Sequence, residues 1–496
     1  MAQDFASIPG RRTKDVFGRN ELIEQLNALA QKRVASLVTC RGRRRIGKST
    51  LVEEFARRIK ARFIKIEGKR PSPKFTNADE LATFAKQLSD QTDCETTPPS
   101  SWSDAFKRLN AQINDQDAHT VVLLDEISWL AHYVDDFADD LKIAWDNHFK
   151  KHDKLILVLC GSVSCWIKDN IIDNGAYMGR RSLDMVVPEL PLGECVKFWG
   201  PSADRLAVRE ILDVLSVTGG VPRYLEEVNP SETAERNIKR LFFKPKSVLR
   251  MDFEDMFRDV ITEETNFTGQ VLKTLVDGPK SGAEIAKALK IGKGGRVASA
   301  LVRLEESGFV AAANGTNPET GEKPREKRYR LRDNYTRFYL KYVEPVKDII
   351  DDGSFEFVSL EQFENMNAIM GLAFENLVIN NYRELISPLH LEGQLITSAA
   401  PYVRKATSGK NGRKGVQIDF LIQTRRTIYV LEIKRKCQID REIIQEVDEC
   451  IRAIKRPVGV SARTALIYDG HLSPVVAADG YFDAIIPFYK LLGVSY

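Results

Sequence analysis

Between positions 42 and 49 the chain reads Gly42-Arg43-Arg44-Arg45-Ile46-Gly47-Lys48-Ser49, followed by Thr50. Two glycines five apart, then a lysine and a hydroxyl, give the pattern G-x-x-x-x-G-K-[ST]. Backbone N–H groups of such a loop converge on phosphate oxygens, and a helix opening directly after it adds partial positive charge. Lys48 would reach the β- and γ-phosphates of a nucleotide, and Ser49 would ligate Mg²⁺. A second set of groups lies at Asp125-Glu126, after the apolar run Val121-Val122-Leu123-Leu124. Here Asp125 would hold the Mg²⁺ shell and Glu126 would polarise an attacking water. A third set is near the C-terminus, where Asp419, Glu432 and Lys434 interrupt two apolar stretches between Val416 and Lys436. Close carboxylates repel and suit a hard cation, and a neighbouring lysine can orient a bound water toward a phosphodiester.

Each set needs an element to aim it. Residues before Gly42 predict a short strand, and those after Gly47 predict an amphipathic helix. Asp125 and Glu126 end a buried parallel strand, where ligands of open α/β sheets bind. Lys154–Cys160 predicts a third such strand, followed by Ser162, a polar group able to sense a γ-phosphate. Near the C-terminus, alternation puts Glu432 and Lys434 on one strand face and Asp419 on a facing strand. A helix upstream carries Glu375, a candidate third carboxylate, and a helix downstream carries Gln445.

Length and composition set the frame. A chain of 496 residues, 43% hydrophobic and 29% charged, predicts about three globular domains. No apolar run is long enough to span a bilayer and the first residues lack a signal-peptide core, so no membrane partner and a cytoplasmic location are expected. Seven scattered cysteines without CxxC spacing and six unclustered histidines point to neither a disulfide framework nor a zinc site. The net charge of +4 is too small to argue for nucleic acid, so local clusters matter more.

The motif order resembles a family. Val16-Phe17-Gly18-Arg19, the 42–49 loop, Leu-Leu-Asp125-Glu126, Cys160-Gly161-Ser162, Gly179-Arg180-Arg181 and Gly219-Gly220-Val221-Pro222 are similar to the archaeal-type ATPases of the AAA+/STAND group of P-loop NTPases, over about residues 14–345. The resemblance implies ATP and Mg²⁺ as cofactors, a parallel sheet with a helical lid, and Gly18, Arg19 and Pro222 near the adenine. It implies Arg180 and Arg181 as arginines that reach the γ-phosphate in cis or across the boundary of a homo-oligomer.

Residues 267–333 show three helical segments and two strand-like ones, the pattern of a winged helix-turn-helix. Arg296 and Arg303 on its third helix, and Lys323, Arg325, Lys327 and Arg328 in its hairpin, are candidate phosphate contacts to DNA. Further on, helix, strand with Asp, strand with Glu-x-Lys and helix resemble the PD-(D/E)XK nuclease fold, an α/β restriction-endonuclease-like architecture, over about residues 365–496. The resemblance makes Asp419 and Glu432 ligands of Mg²⁺ or Mn²⁺ and Lys434 the catalytic lysine; Ile418 stands where the best-known pattern has proline. Lys410, Arg413 and Lys414, in a segment from Val403 to Lys414 with five bases and no acid, are candidate DNA contacts.

The expected layout is an ATPase core at 14–235, a helical linker and winged helix at 236–345, and a nuclease-like domain at 355–496. The expected function is ATP binding and hydrolysis that controls a metal-dependent DNA nuclease. The alternative is an ATP-switched DNA-binding regulator whose nuclease-like domain does not cleave.

Overall fold

The computed structural model describes residues 18–113, 118–162, 164–260, 265–292, 295–406 and 415–493. They form two compact units: one runs to Leu190 and takes in Val221–Arg223, and the other holds Pro191–Gly220 and the chain from Tyr224 onward.

The first unit is built on five parallel strands, β1 (Ser36–Arg41), β2 (Arg62–Glu67), β3 (Thr120–Asp125), β4 (Leu155–Gly161) and β5 (Arg181–Val186), in the order β2-β3-β4-β1-β5. Strands β3 and β4 are buried at every residue, as unbroken Val/Leu runs covered on both faces must be. Helices Asn77–Ser89, Trp102–Ala111 and Phe137–Asn147 supply an aromatic cluster in which Trp102 meets Phe137 edge-on at 4.7 Å. Thr76 starts the first of these helices with a reciprocal capping box to Asp79. The parallel order brings the ends of β1, β3 and β4, and so the 42–49 loop, Asp125 and Ser162, to one edge of the sheet.

In the second unit, helices Thr265–Thr274, Gly282–Ala288 and Gly295–Glu306 surround a small antiparallel sheet of β6 (Lys280–Ser281), β7 (Val310–Ala312) and β8 (Arg328–Leu331), ordered β6-β8-β7. Val297, Leu301 and Leu304 are buried on one stripe of the third helix, as their spacing predicts.

The same unit holds a mixed sheet of β9 (Ile396–Arg404), β10 (Val416–Thr424), β11 (Thr427–Ile439), β12 (Ser461–Leu472) and β13 (Ala484–Pro487), ordered β13-β12-β11-β10-β9. β10 is antiparallel to both β9 and β11, while β11, β12 and β13 run parallel. Helix Met366–Asn380 packs on β11, and helix Glu442–Ala453 connects β11 to β12. The outer edge of β9 is covered by the segment between β7 and β8: Gly315 N–H donates to Pro401 O at 2.9 Å, and Gln423 on β10 donates to Thr316 O at 2.8 Å. The compact units divide after Leu190, not near residue 235, because helix Val208–Thr218 packs against helices Asn334–Phe338 and Met366–Asn380 of the second unit. No helix among the described residues is long and apolar enough to cross a membrane.

Candidate functional site

Gly42 and Gly47 are where the 42–49 loop demands glycine. Gly42 has φ +152, and a Cβ there would lie 2.5 Å from the backbone oxygen of Val187. Gly47, at φ +85, caps helix Lys48–Arg58 in the left-handed region, and Pro222 Cγ lies 4.0 Å from where its Cβ would stand. Lys48 is buried and donates to Gly42 O and Arg43 O at 3.1 and 3.2 Å, which holds its ammonium over the loop. Ser49 Oγ donates to Asp125 Oδ2 at 2.5 Å, and Thr50 follows it, exposed, in the first helical turn. Gly18 sits at φ +61, and the buried Arg19 donates to Ile46 O at 3.1 Å, so the Gly-Arg pair braces the loop itself.

Glu126 stands in the left-handed region at φ 48, a conformation that costs a non-glycine residue about 1–3 kcal/mol. Its Oε2 accepts from the Ser162 amide at 3.2 Å and from the Ser162 hydroxyl at 2.9 Å. Ser162, expected as a phosphate sensor, thus reads the acid beside the phosphate loop. Behind Glu126 the backbone is tight: a Cβ on Gly68 would come within 2.8 Å of Glu126 O. Lys65 joins the site although no motif marks it. Its Nζ lies 3.3 Å from Asp125 Oδ2 and 3.2 Å from Glu67 Oε2. Burial lowers its pKa, but Asp125 and then Glu67 outweigh that and hold it above the usual value. The sequence signal is slight, a lysine and a glutamate alternating on β2 beside Asp125. Ser49 and Asp125 supply two hard oxygens suited to Mg²⁺.

The arginines at 180 and 181, expected to reach the γ-phosphate in cis or across a subunit boundary, are engaged by partners of this chain. Arg181 pairs with Leu37 at the start of β1, at the opposite end of the strand from the phosphate loop, and its guanidinium pairs with Asp184. Arg180 holds Asp146 through two hydrogen bonds of 2.9 Å and also donates to Ala176 O at 2.7 Å. That clamp drives the Asp146 carboxyl well below the usual range.

Residues 16–228 match an ATPase domain found predominantly in Archaea. The match supports ATP binding and ATPase activity for this part of the chain. Over 431 residues the chain is 22% identical to an uncharacterised protein of Methanocaldococcus jannaschii, covering 86% of this chain and 88% of that one. Among solved structures, it is similar to a Walker-type ATPase of Pyrococcus abyssi, at 18% identity and a TM-score of 0.49, covering 66% of this chain and 97% of that one. It is also similar to the ORC2 protein of Aeropyrum pernix, at 15% identity and a TM-score of 0.40, covering 71% and 97%.

The second cluster is built by a break in strand pairing. β10 pairs with β11 from Phe420–Leu431 to Gln423–Ile428, and the register with β9 shifts between Ile418 and Leu421. At that bulge the Asp419 carboxylate itself accepts the Ile433 N–H, at 2.9 Å. Glu432 Oε1 lies 2.6 Å from Lys434 Nζ, which also lies 3.3 Å from Glu446 on helix Glu442–Ala453. Burial, then repulsion from Glu432 and Glu375, holds the Asp419 carboxyl well above its usual pKa. Burial likewise raises Glu432 against the pull of Lys434. Glu375 is pushed up to about 7 by burial, with Arg337 opposing and Glu432 adding to it. Lys434 is lowered by burial but raised more by Glu432, so it stays cationic.

These carboxylates are short of positive charge, and a divalent cation held by Asp419 and Glu432 fits that deficit. Glu375, expected as a third carboxylate, lies near enough to raise Asp419 through its charge. Gln445 is exposed, and its neighbour Glu446 is the helix residue that meets Lys434. One residue along a helix turns the side chain by about 100°, a difference the strand-and-helix pattern does not fix.

The basic residues divide in the same way. Arg303, Lys323 and Arg325 are exposed, and Arg296, also exposed, lies over the Phe267 ring at 4.1 Å. Lys327 pairs with Glu305 at 2.7 Å, and Arg328 pairs with Glu284 at 2.8 Å and donates to Pro279 O. Arg330 is buried against Asn376 and Asn380. Lys327 and Arg328, expected to face DNA, thus tie the small sheet to its helices. Lys410, Arg413 and Lys414 lie outside the described residues.

Proposed function

We propose that the chain is an ATP-hydrolysing protein whose nucleotide state controls a metal-dependent DNA nuclease site in its second unit. In the nucleotide site, Lys48 and the 42–49 amides bind the phosphates, Ser49 and Asp125 hold Mg²⁺, and Glu126, fixed by Ser162, orients the attacking water. Helices and strands at 265–331, in the order helix, strand, helix, helix, strand, strand, support a winged helix-turn-helix. Strands β9 to β12 with helices Met366–Asn380 and Glu442–Ala453 support the nuclease-like reading. The observation that carries this proposal is the bulge that inserts the Asp419 carboxylate beside Glu432 and Lys434.

At that site Asp419 and Glu432 would hold Mg²⁺ or Mn²⁺, which supplies Lewis acidity and an activated water. Lys434, cationic and held by Glu432, orients the water and offsets charge on the scissile phosphate. Arg303, Lys323 and Arg325 would contact the DNA backbone, giving affinity without sequence information.

A second reading, an ATP-switched DNA-binding regulator without cleavage, is favoured by one observation: Lys434 is engaged by two carboxylates, Glu432 and Glu446. One experiment separates them. Wild type and Lys434→Ala are incubated with plasmid and single-stranded DNA, in Mg²⁺ or Mn²⁺, with and without ATP. Cleavage by wild type alone supports the nuclease; DNA binding that responds to ATP without cleavage supports the regulator.

A further inference from the structure

The lysine of the carboxylate site has a neighbour whose job the site does not explain. Alternation along β11 puts Arg435 on the face opposite Lys434. There Arg435, its side chain 6% exposed, pairs with Asp213 of helix Val208–Thr218. Arg209, on the same helix, pairs with Asp469 of β12 and lies 3.7 Å from Asp213. Asp469 sits directly beside Arg435 in the β11–β12 register. Burial raises the Asp213 carboxyl, with Arg435 and then Arg209 opposing. Two arginines and two aspartates thus fasten one helix to the two strands at the residue next to Lys434, with the strand-side Arg435 and Asp469 buried and the helix-side Arg209 and Asp213 partly exposed.

The helix has a second distinctive feature, its exit. It ends at Thr218, and Gly219 takes φ 61, ψ −168, a conformation open almost only to glycine. Thr218 Oγ1 lies 3.0 Å from both Val214 O and Gly219 O, which fixes the joint. Two residues further on, the chain enters the ATPase unit for Val221–Arg223, where Pro222 lies against Gly47 of the phosphate loop. Beside Asp213 and Arg435 is a cavity of about 610 Å³ lined also by Met366 and Met370, so the helix has open space on one side. A close-packed surround would resist movement of the helix.

We propose that Asp213 is a positioning residue for the Glu432–Lys434 strand, and that helix Val208–Thr218 is the lever through which the phosphate loop sets it. Nucleotide at the loop shifts Pro222; the Gly219 joint passes the shift to the helix; Asp213 and Arg209 pass it to Arg435 and Asp469. The proposal rests on the reading of the second unit as a nucleotide-controlled site, and it names the route of that control.

Hydrogen exchange on the full chain tests it without needing cleavage. Exchange of the 42–50 and 427–439 segments is measured with and without a non-hydrolysable ATP analogue. In wild type both segments respond; allosteric couplings are typically about 5–150-fold. In Asp213→Asn the 42–50 response remains and the 427–439 response falls below about twofold, whereas Asp213→Glu, which keeps the charge, retains both. If Asp213→Asn does not fold, Arg209→Gln breaks the neighbouring pair and is read the same way. A 427–439 response that is absent in wild type, or that survives in Asp213→Asn, overturns the proposal. So does loss of the 42–50 response in a folded Asp213→Asn. Absence of DNA cleavage by wild type would instead overturn the nuclease reading and leave the exchange result standing.

Discussion

Glu80 offers a test in which the sign of the effect changes with pH. It is fully buried; one oxygen accepts the Lys69 N–H at 3.0 Å and the other has no hydrogen-bond partner among the described residues. Burial pushes its pKa up from 4.5 to about 7. A carboxyl whose folded pKa is raised contributes stability that is whole below the unfolded pKa and is lost as pH rises through the folded one. With 4.5 unfolded and about 7 folded, the loss is about 1 kcal/mol at pH 5 and about 3 kcal/mol at pH 8. Glu80→Gln abolishes the titration and keeps an acceptor for Lys69, but leaves buried amide donors that cost about 1–3 kcal/mol. The variant is therefore less stable than wild type or equal to it at pH 5, and equal to it or up to about 2 kcal/mol more stable at pH 8. Trp102, Trp129, Trp145 and Trp166, four of the five tryptophans, belong to this unit, so tryptophan emission during urea unfolding follows it. The same increment at both pH values would show that Glu80 does not titrate between them, and the reasoning from burial would fail.

Glu126→Gln should slow ATP hydrolysis by about 10²–10⁴-fold while nucleotide binding, measured by fluorescence titration, is kept. Gly42→Ala should abolish nucleotide binding and lower the melting temperature, because its Cβ would meet Val187 O at 2.5 Å in a backbone region that L-residues avoid. Asp419→Ala should remove DNA cleavage and leave ATP turnover within about twofold; loss of both would tie Asp419 to folding. Replacing Lys323 and Arg325 with alanine should lower the slope of log affinity for duplex DNA against log salt by about 0.9 for each phosphate no longer neutralised. Lys327→Ala should leave that slope unchanged, since its ammonium is engaged by Glu305.

Which parts can be read from the sequence follows from how local their causes are. Gly42, Gly47, Lys48 and Ser49 are fixed by one loop, and the strands ending at Asp125 and Gly161 by unbroken apolar runs. The alternation of Glu432 and Lys434 is equally local, and both lie where the period of two puts them. Asp419 lies beside them, but the bulge that aims it depends on pairing with β9, which no short window contains. The partner of Arg180, Asp146, is not legible because it lies 34 residues away on helix Phe137–Asn147. Lys327 and Arg328 look like a solvated basic run in sequence; only folding brings Glu305 and Glu284 to them. The boundary after Leu190 is hidden because helix Val208–Thr218 follows the ATPase strands in sequence yet packs with the second unit.

The covering of β9 by Gly315 and Thr316 has a consequence for handling this protein in solution. β9 ends its sheet, and a strand edge is a template on which another chain can pair. Here that template is taken up by a segment that also carries Lys323 and Arg325, the side chains offered to DNA. Any partner that lifts the segment from β9 bares the strand edge from Ser398 to Pro401 at the same moment. Solubility and engagement are thereby linked: the form of the chain with its basic segment drawn away is the form prone to stick to its own copies. Concentration, as much as salt, then sets which species a binding experiment contains.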